Sequence, residues 1–322
     1  MIGSRTAPEA APPLPDDVLT LADLGPDGLR HVLDLARAIK RAPDEFRGAH
    51  AGGRLGMIFD KPSTRTRVSF EAAAWLLGML PVALRPDELQ LGRGETVADT
   101  ARTLSLYLDA LAIRTFEQAR VEEVAAWASI PVVNALTDDH HPCQALADVM
   151  TLDEEFHGLA GMRLAFVGDG DNVCQSLIQA AALVGFDLAI ATPRGYEPNA
   201  GILVAARVMG ATSGSDITLT HDPREAVLGA DAVYADVWTS MGRDAERDQR
   251  LLDFRGYTVD RALMELAAPE AIFLHCLPAH RGEEVTDEVI DGPRSRVWRQ
   301  AENRMHTEAA LLYAMVRTHD EG

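Results

Sequence analysis

Short apolar runs, each closing on a polar or glycine-bearing turn and followed by helical periodicity, recur along the whole 322-residue chain. Arg54 to Asp60 (RLGMIFD) ends at KPSTRTR, and Val68 to Leu80 then places Phe70, Ala74 and Leu77 on one helical face. Leu111–Arg114 and Pro131–Asn134 read as further strands, with a helix between them that carries Val121, Val124, Ala125 and Ala128. A second series begins near Leu164, where LAFVGDG, DLAIAT, DAVYADVW and AIFLHCLP read as four strands separated by helical stretches. Strands joined through helices pair in parallel, and the helices cover the faces of the sheet. The expected fold class is α/β, with two doubly wound parallel-sheet domains joined by helices. Leu19–Arg41 is helical before the first strand, Pro142–His157 spans the middle, and Glu302–Arg317 closes the chain with Ala309, Leu312, Tyr313 and Val316 in register.

Composition narrows the function. The net charge of −19 disfavours nucleic acid and anionic lipid as partners. No apolar run approaches the ~18 residues of a spanning helix, so no membrane partner is expected. The three cysteines, Cys143, Cys174 and Cys276, are odd in number and far apart, which argues for a reducing compartment and against a disulfide framework. The first residues, MIGSRTAPEAAPPLPDD, lack the apolar core of a secretory signal, and a cytoplasmic location is expected.

Five segments carry candidate chemistry. Ser63-Thr64-Arg65-Thr66-Arg67 lies between a strand and a helix, where free N–H groups, the helix dipole, hydroxyls and guanidinium forks all suit an anion; the alternative is a capped helix with surface arginines. In His141-Pro142-Cys143-Gln144, followed by Asp148, an imidazole and an amide share a helix face and suit a small planar group; a partly buried helix cap is the alternative. A zinc set of His140, His141 and Cys143 fits no standard spacing. Gly168-Asp169-Gly170-Asp171-Asn172-Val173 resembles a dinucleotide turn, but Val173 replaces the third glycine and no acid ends the next strand. Asp236 to Gly242 (DVWTSMG) and His275 to Arg281 (HCLPAHR) each follow an apolar strand, at the sheet end where ligands collect. Asp236 suits an ammonium group. Cys276 reads as a polar lining of the site or as a nucleophile, with no obvious orienting acid after it.

Taken together, STRTR (63–67), LQLGRGE (89–95), DTAR (99–102), IRTF (113–116), HPCQ (141–144), GDGDNV (168–173), DVWTSMG (236–242), HCLPAHRGEEV (275–285) and AENR (301–304) resemble the aspartate/ornithine carbamoyltransferase family, on its ornithine side, from about Leu19 to Val316. The resemblance implies a carbamoyl phosphate-binding domain over 1–150, with a C-terminal helix near 302–318 packing back on it, and an ornithine-binding domain over 151–301. It implies a phosphate cradle at Ser63, Thr64, Arg65 and Thr66. The carbamoyl group would be held by Arg114, His141, Pro142, Cys143 and Gln144, with Cys276, Leu277 and Arg304 completing the pocket. Gln90 would enter a neighbouring subunit's site in a homotrimer. Asn172, Asp236, Ser240 and Met241 would receive ornithine. Arg65, Arg114, His141, Asp236 and Cys276 would carry the chemistry, and neither cofactor nor metal is expected. Asp171 stands where the family often has Asn, and Cys143 where Thr is common.

The aspartate-specific branch is disfavoured because it lacks the SMG loop and runs HPLPR where this chain runs HCLPAHR. The alternatives are a carbamoyltransferase for another amine such as putrescine, a nicotinamide-dependent oxidoreductase, and a non-catalytic binding protein. The direction of flux, toward arginine or away from citrulline, is not encoded in these motifs.

Overall fold

The structure is a computed structural model that describes residues 14–85, 89–90, 94–240 and 242–316. Its elements, in chain order, are α1 (Gly25–Arg41), β1 (Arg54–Phe59), α2 (Thr64–Leu77), β2 (Leu80–Leu84), α3 (Val97–Ser105), β3 (Ala110–Arg114), α4 (Gln118–Trp127), β4 (Val132–Leu136) and α5 (Pro142–Phe156). There follow β5 (Arg163–Val167), α6 (Asn172–Val184), β6 (Asp187–Ala191), α7 (Ala200–Ser213), β7 (Ile217–Thr220), α8 (Pro223–Val227) and β8 (Ala232–Ala235). The chain closes with α9 (Arg247–Asp253), α10 (Arg261–Met264), β9 (Ile272–His275), α11 (Asp287–Ile290) and α12 (Val297–Met315).

Two parallel sheets result, ordered β2-β1-β3-β4 and β7-β6-β5-β8-β9. The α/β class read from the sequence is what the structure has. Central strands are buried almost throughout, as in LAFV of β5 and AVYA of β8, which is why they read as continuous apolar runs.

Two strands escape the sequence reading, and both lie at sheet edges. β2 (LPVAL) is half-exposed and holds a proline, which an edge strand tolerates. β7 (ITLT) buries only Ile217 fully and alternates with threonines. The helix α3 was also unread. The last helix begins at Val297 rather than Glu302, because Arg296 at its N-cap offers no side-chain capping bond to mark the start. Residues Leu21–Leu24 form a 3-10 turn, and the α-helix proper starts at Gly25-Pro26.

Each sheet has one point where the chain switches from one side of its first strand to the other: between β1 and β3, and between β5 and β8. Both crevices open at the carboxyl ends of the strands. α12 packs on α1, α2 and α5 and touches β9, so the final helix spans both sheets. Hydrogen bonds tie α6 to the loop before α5: Ser176 Oγ accepts from His141 N at 2.8 Å, and Gln175 Nε2 donates to the Asp139 carbonyl at 3.0 Å.

Candidate active site

The first switch point is lined by the start of α2 and the end of β3. Ser63 caps α2, its hydroxyl accepting from Thr66 N at 3.2 Å. Arg65 is half-buried in the following turn and Arg114 ends β3. Burial lowers the pKa of both arginines; neighbouring Arg304 and Arg65 help bring Arg114 down to about 10. Clustered guanidinium groups repel one another, so the pocket favours an anion. His141 is almost fully buried, and burial followed by Arg304, Arg114 and Arg65 holds its pKa well below the ordinary value, so the ring is neutral. Its Nδ1 and Arg114 Nε have no hydrogen-bond partner among the described residues. Unpaired buried polar atoms of this kind are costly unless a ligand meets them.

Arg304, on α12, joins the parts. Its Nη1 donates to Gln144 Oε1 at 2.8 Å, its Nη2 to Thr66 Oγ1 at 3.2 Å, and its Nε and Nη2 both to Glu308 Oε1. Gln144 Nε2 in turn donates to Asp148 Oδ1 at 2.8 Å. Gln300, one turn before Arg304, donates to the same Asp148 oxygen at 2.6 Å and to Tyr234 Oη at 3.0 Å. Gln300 Oε1 accepts the backbone N–H of His275 at 2.9 Å. A buried polar chain therefore runs from the anion pocket to the end of β9. Burial pushes the pKa values of Asp148 and Glu308 up to about 7.

At the second switch point Cys276 Sγ donates to Asp236 Oδ1 at 2.9 Å. Burial, then Asp236, pushes the Cys276 thiol well above its usual range. It is a neutral donor, not a thiolate nucleophile. Beside it, His275 Nε2 lies 3.2 Å from Glu284 Oε1, and His275 Nδ1 accepts from Leu277 N at 2.9 Å. The sequence reading missed this acid, because Glu284 returns from nine residues on. Asp169 is ion-paired with buried Arg250, and Asp171 lies 3.3 Å from Arg243. The GDGD turn is thus filled from within the protein. A Cβ on Gly170 would lie 2.3 Å from Pro198 N and 2.6 Å from the Tyr196 carbonyl, so glycine is required by close backbone packing rather than by a pyrophosphate.

Residues 16–154 match the family described as aspartate/ornithine carbamoyltransferase, carbamoyl-P binding domain, and residues 160–315 match its Asp/Orn binding domain. The ornithine carbamoyltransferase of Methanothermobacter thermautotrophicus is 53% identical over 296 residues, covering 92% of this chain and 97% of the relative. That of Gloeobacter violaceus is 50% identical over 301 residues, 93% of this chain and 95% of the relative. This chain belongs to the aspartate/ornithine carbamoyltransferase family. The solved ornithine carbamoyltransferase from Pyrococcus furiosus superposes with a TM-score of 0.90 at 47% identity, covering 93% of this chain and 96% of that one. The Gloeobacter violaceus crystal structure gives 0.87 at 46%, covering 95% and 100%.

Within this carbamoyltransferase fold, the residues singled out in the sequence are not equally placed. Thr66, Gln144 and Arg304 are directly bonded, and Arg65, Arg114, His141, Asp236 and Cys276 are close enough to perturb one another. Thr64 is exposed on the first turn of α2, and Pro142 is the first residue of α5. The Cys143 side chain is turned away: its thiol is fully buried in the core and points at the Asn134 carbonyl, 3.5 Å away. Asn172 spends its amide on the protein, donating to the Thr137 carbonyl at 2.6 Å and accepting from Val173 N at 2.8 Å. Leu277 has φ 58 and brings its N–H to His275. Ser240 is half-buried, with its carbonyl accepting from Arg243 N, and Met241 lies outside the described residues. Gln90 is exposed. In the sequence Asp148 reads only as a follower of Gln144. Gln300 and Glu308 carry no sequence signal, and Glu284 stands in the HCLPAHRGEEV motif without a role of its own, because their roles arise from tertiary contact alone.

Proposed function

We propose that this chain transfers the carbamoyl group of carbamoyl phosphate to the δ-amine of L-ornithine, giving L-citrulline and phosphate. The observation that carries the reading is the Arg304 fork, which ties the phosphate-side Thr66 to the carbamoyl-side Gln144, with the Asp236–Cys276 pair coupled to the same arginine cluster. Ser63, Thr64, Arg65 and Thr66 would receive the phosphate. Arg114 and neutral His141 would polarise the carbonyl, and Arg114 would stabilise the oxyanion that forms. An alkylamine resembles lysine, with a reference pKa of about 10.4, and must shed a proton before it attacks. Asp236, held by the Cys276 thiol, would orient the amine. Nitrogen then bonds to the carbonyl carbon, the carbon–oxygen bond to phosphate breaks, and as the intermediate collapses the second amine proton passes to the departing phosphate, which leaves as hydrogen phosphate. Asn172, Ser240 and Met241 would hold the α-amino acid end; Asn172 must release the Thr137 carbonyl to do so.

In this reading carbamoyl phosphate belongs to the part up to residue 150 together with α12, and ornithine to 151–301. A cytoplasmic homotrimer with shared sites accompanies it, the exposed side chains of Trp75, Leu80, Leu106 and Tyr107 on the first part supporting association. Among the described residues no helix is long and apolar enough to cross a membrane. The deciding experiment measures carbamoyl transfer to ornithine, putrescine and aspartate side by side. A site that pairs the α-carboxylate and α-amine rejects putrescine strongly, by about 10⁴-fold where such polar groups are left unpaired. Equal specificity constants for ornithine and putrescine would replace this reading with the diamine one.

A further inference from the structure

The turn after β9 gathers three ligand-type atoms for which the described structure supplies no partner. His280 Nδ1, Glu283 Oε2 and Glu284 Oε2 are each shielded from solvent and hydrogen-bonded to nothing among the described residues. They converge: His280 Nδ1 lies 3.8 Å from Glu283 Oε2 and 4.0 Å from Glu284 Oε2, and each of the three residues offers a ligand-type atom within 4.8 Å of the others. Those separations are too long for hydrogen bonds.

Glu284 decides the matter, because its side chain is fully buried. Its Oε1 accepts from His280 N at 2.5 Å and faces His275 Nε2, while Oε2 looks into the gap. His275 accepts the Leu277 N–H at Nδ1, so its proton is at Nε2 and the ring adds no charge. The other oxygen of Glu283 is taken by Arg247. A buried carboxylate thus faces an imidazole nitrogen and a second carboxylate oxygen with no hydrogen bond among the described residues joining these three atoms, and a buried charge is held only when it is paired.

We propose that His280, Glu283 and Glu284 bind one divalent transition-metal ion, with Zn²⁺ the best match. One imidazole and two carboxylates suit zinc, whereas magnesium and calcium prefer all-oxygen shells. Bonds of about 2.0–2.2 Å at tetrahedral angles put donor atoms about 3.4 Å apart, so the two His280 separations contract by about half an ångström and the carboxylate–carboxylate one by at most about 1.4 Å to close the set. The partly exposed edge formed by His280 leaves room for a water as fourth ligand and a route of entry. The ion would also fix the carboxylate that orients His275 beside Cys276. A competing set, Asp236, His275 and Cys276, also lies within reach of one ion, but its donors are already engaged with one another and with the backbone.

The test uses the full-length protein after chelator treatment, dialysed against Zn²⁺ and separately against Co²⁺. One ion per chain is expected, with affinity reduced at least about tenfold in both His280→Ala and Glu283→Gln and unchanged in Cys276→Ser. The Co²⁺ form should show no thiolate-to-cobalt charge-transfer band. Unfolding midpoints establish that each variant is folded, and either substitution suffices if the other is not. Undiminished binding in the folded turn variants, loss in Cys276→Ser with a thiolate band in the parent, or no retained ion at all would each overturn the proposal.

Discussion

Gln300 Nε2 donates to Asp148 Oδ1 at 2.6 Å, deep beneath the anion pocket, while the other end of the same amide holds the His275 backbone. One fully buried side chain therefore supports the glutamine of the first switch point and the strand end of the second. Neither residue has an ordinary reason to be polar there. Paired, they fix the position of Gln144 and of the Cys276 segment at once.

Replacing Gln300 by Met keeps the volume and removes these bonds. The His275 N–H is then orphaned, at a cost of about 1–3 kcal/mol. The urea midpoint should fall, and the folded variant should show both a raised KM for carbamoyl phosphate and a lowered kcat. Loss of stability with normal kinetics would mean that Gln300 merely fills the core.

Arg65→Ala should weaken carbamoyl phosphate far more than ornithine and cripple turnover. A charge-assisted hydrogen bond is worth about 1.5–3 kcal/mol, or roughly 10- to 150-fold in affinity. Isothermal titration with carbamoyl phosphate measures it. Unchanged affinity together with unchanged turnover would remove Arg65 from the phosphate cradle.

Asp171 supplies a pH signature. Burial, and then Asp169, raise its pKa to about 7, despite Arg243. The folded protein holds that proton while the unfolded chain releases it near 3.8. Between those values folding takes up a proton, so stability falls as pH rises through the window. Asp171→Asn should be the more stable protein at pH 8, by on the order of 1–3 kcal/mol, with the gap closing toward pH 4. Urea midpoints at the two pH values measure it, and a difference independent of pH would contradict the assignment.

What the sequence disclosed follows the same physics. Central strands such as β5 are buried on both faces and read as apolar runs, whereas β2 and β7 are edges whose Pro81 and threonines hide them. Donors at strand ends, from Ser63–Thr66 to Asp236 and Cys276, were legible because the chain places them just past an apolar run. Gln300 was not, since it finds Asp148 across 152 residues. Nor was Glu284, whose meaning depends on a turn bringing it back to His275.

The half-buried Cys276 thiol should react slowly. With its pKa driven up by burial and by Asp236, little thiolate exists at pH 7.5, and iodoacetamide should modify it more slowly than a free cysteine of pKa about 8.5. Cys276→Ser keeps a donor for Asp236 and should retain more activity than Asp236→Asn, which should lose at least about 10²-fold. Rapid alkylation, or a serine variant as impaired as Asp236→Asn, would restore Cys276 as the nucleophile.

The shared site is tested by mixing. Gln90 is exposed, so its side chain is open to a neighbouring subunit. Suppose Arg65→Ala and Gln90→Ala each abolish most activity. Each variant then retains the half-site that the other lacks. Dissociated and reassembled at equal amounts, a site is intact when the chain giving Arg65 is a Gln90 variant and the neighbour giving Gln90 is an Arg65 variant. In a cyclic trimer with random mixing that holds for about one site in four. Activity should return to about a quarter of the parental wild-type level, although neither variant has it alone. Mixed trimers confirmed by mass spectrometry that stay inactive would mean that each site is built within one chain, and a monomer by light scattering at assay concentration would remove the shared site altogether.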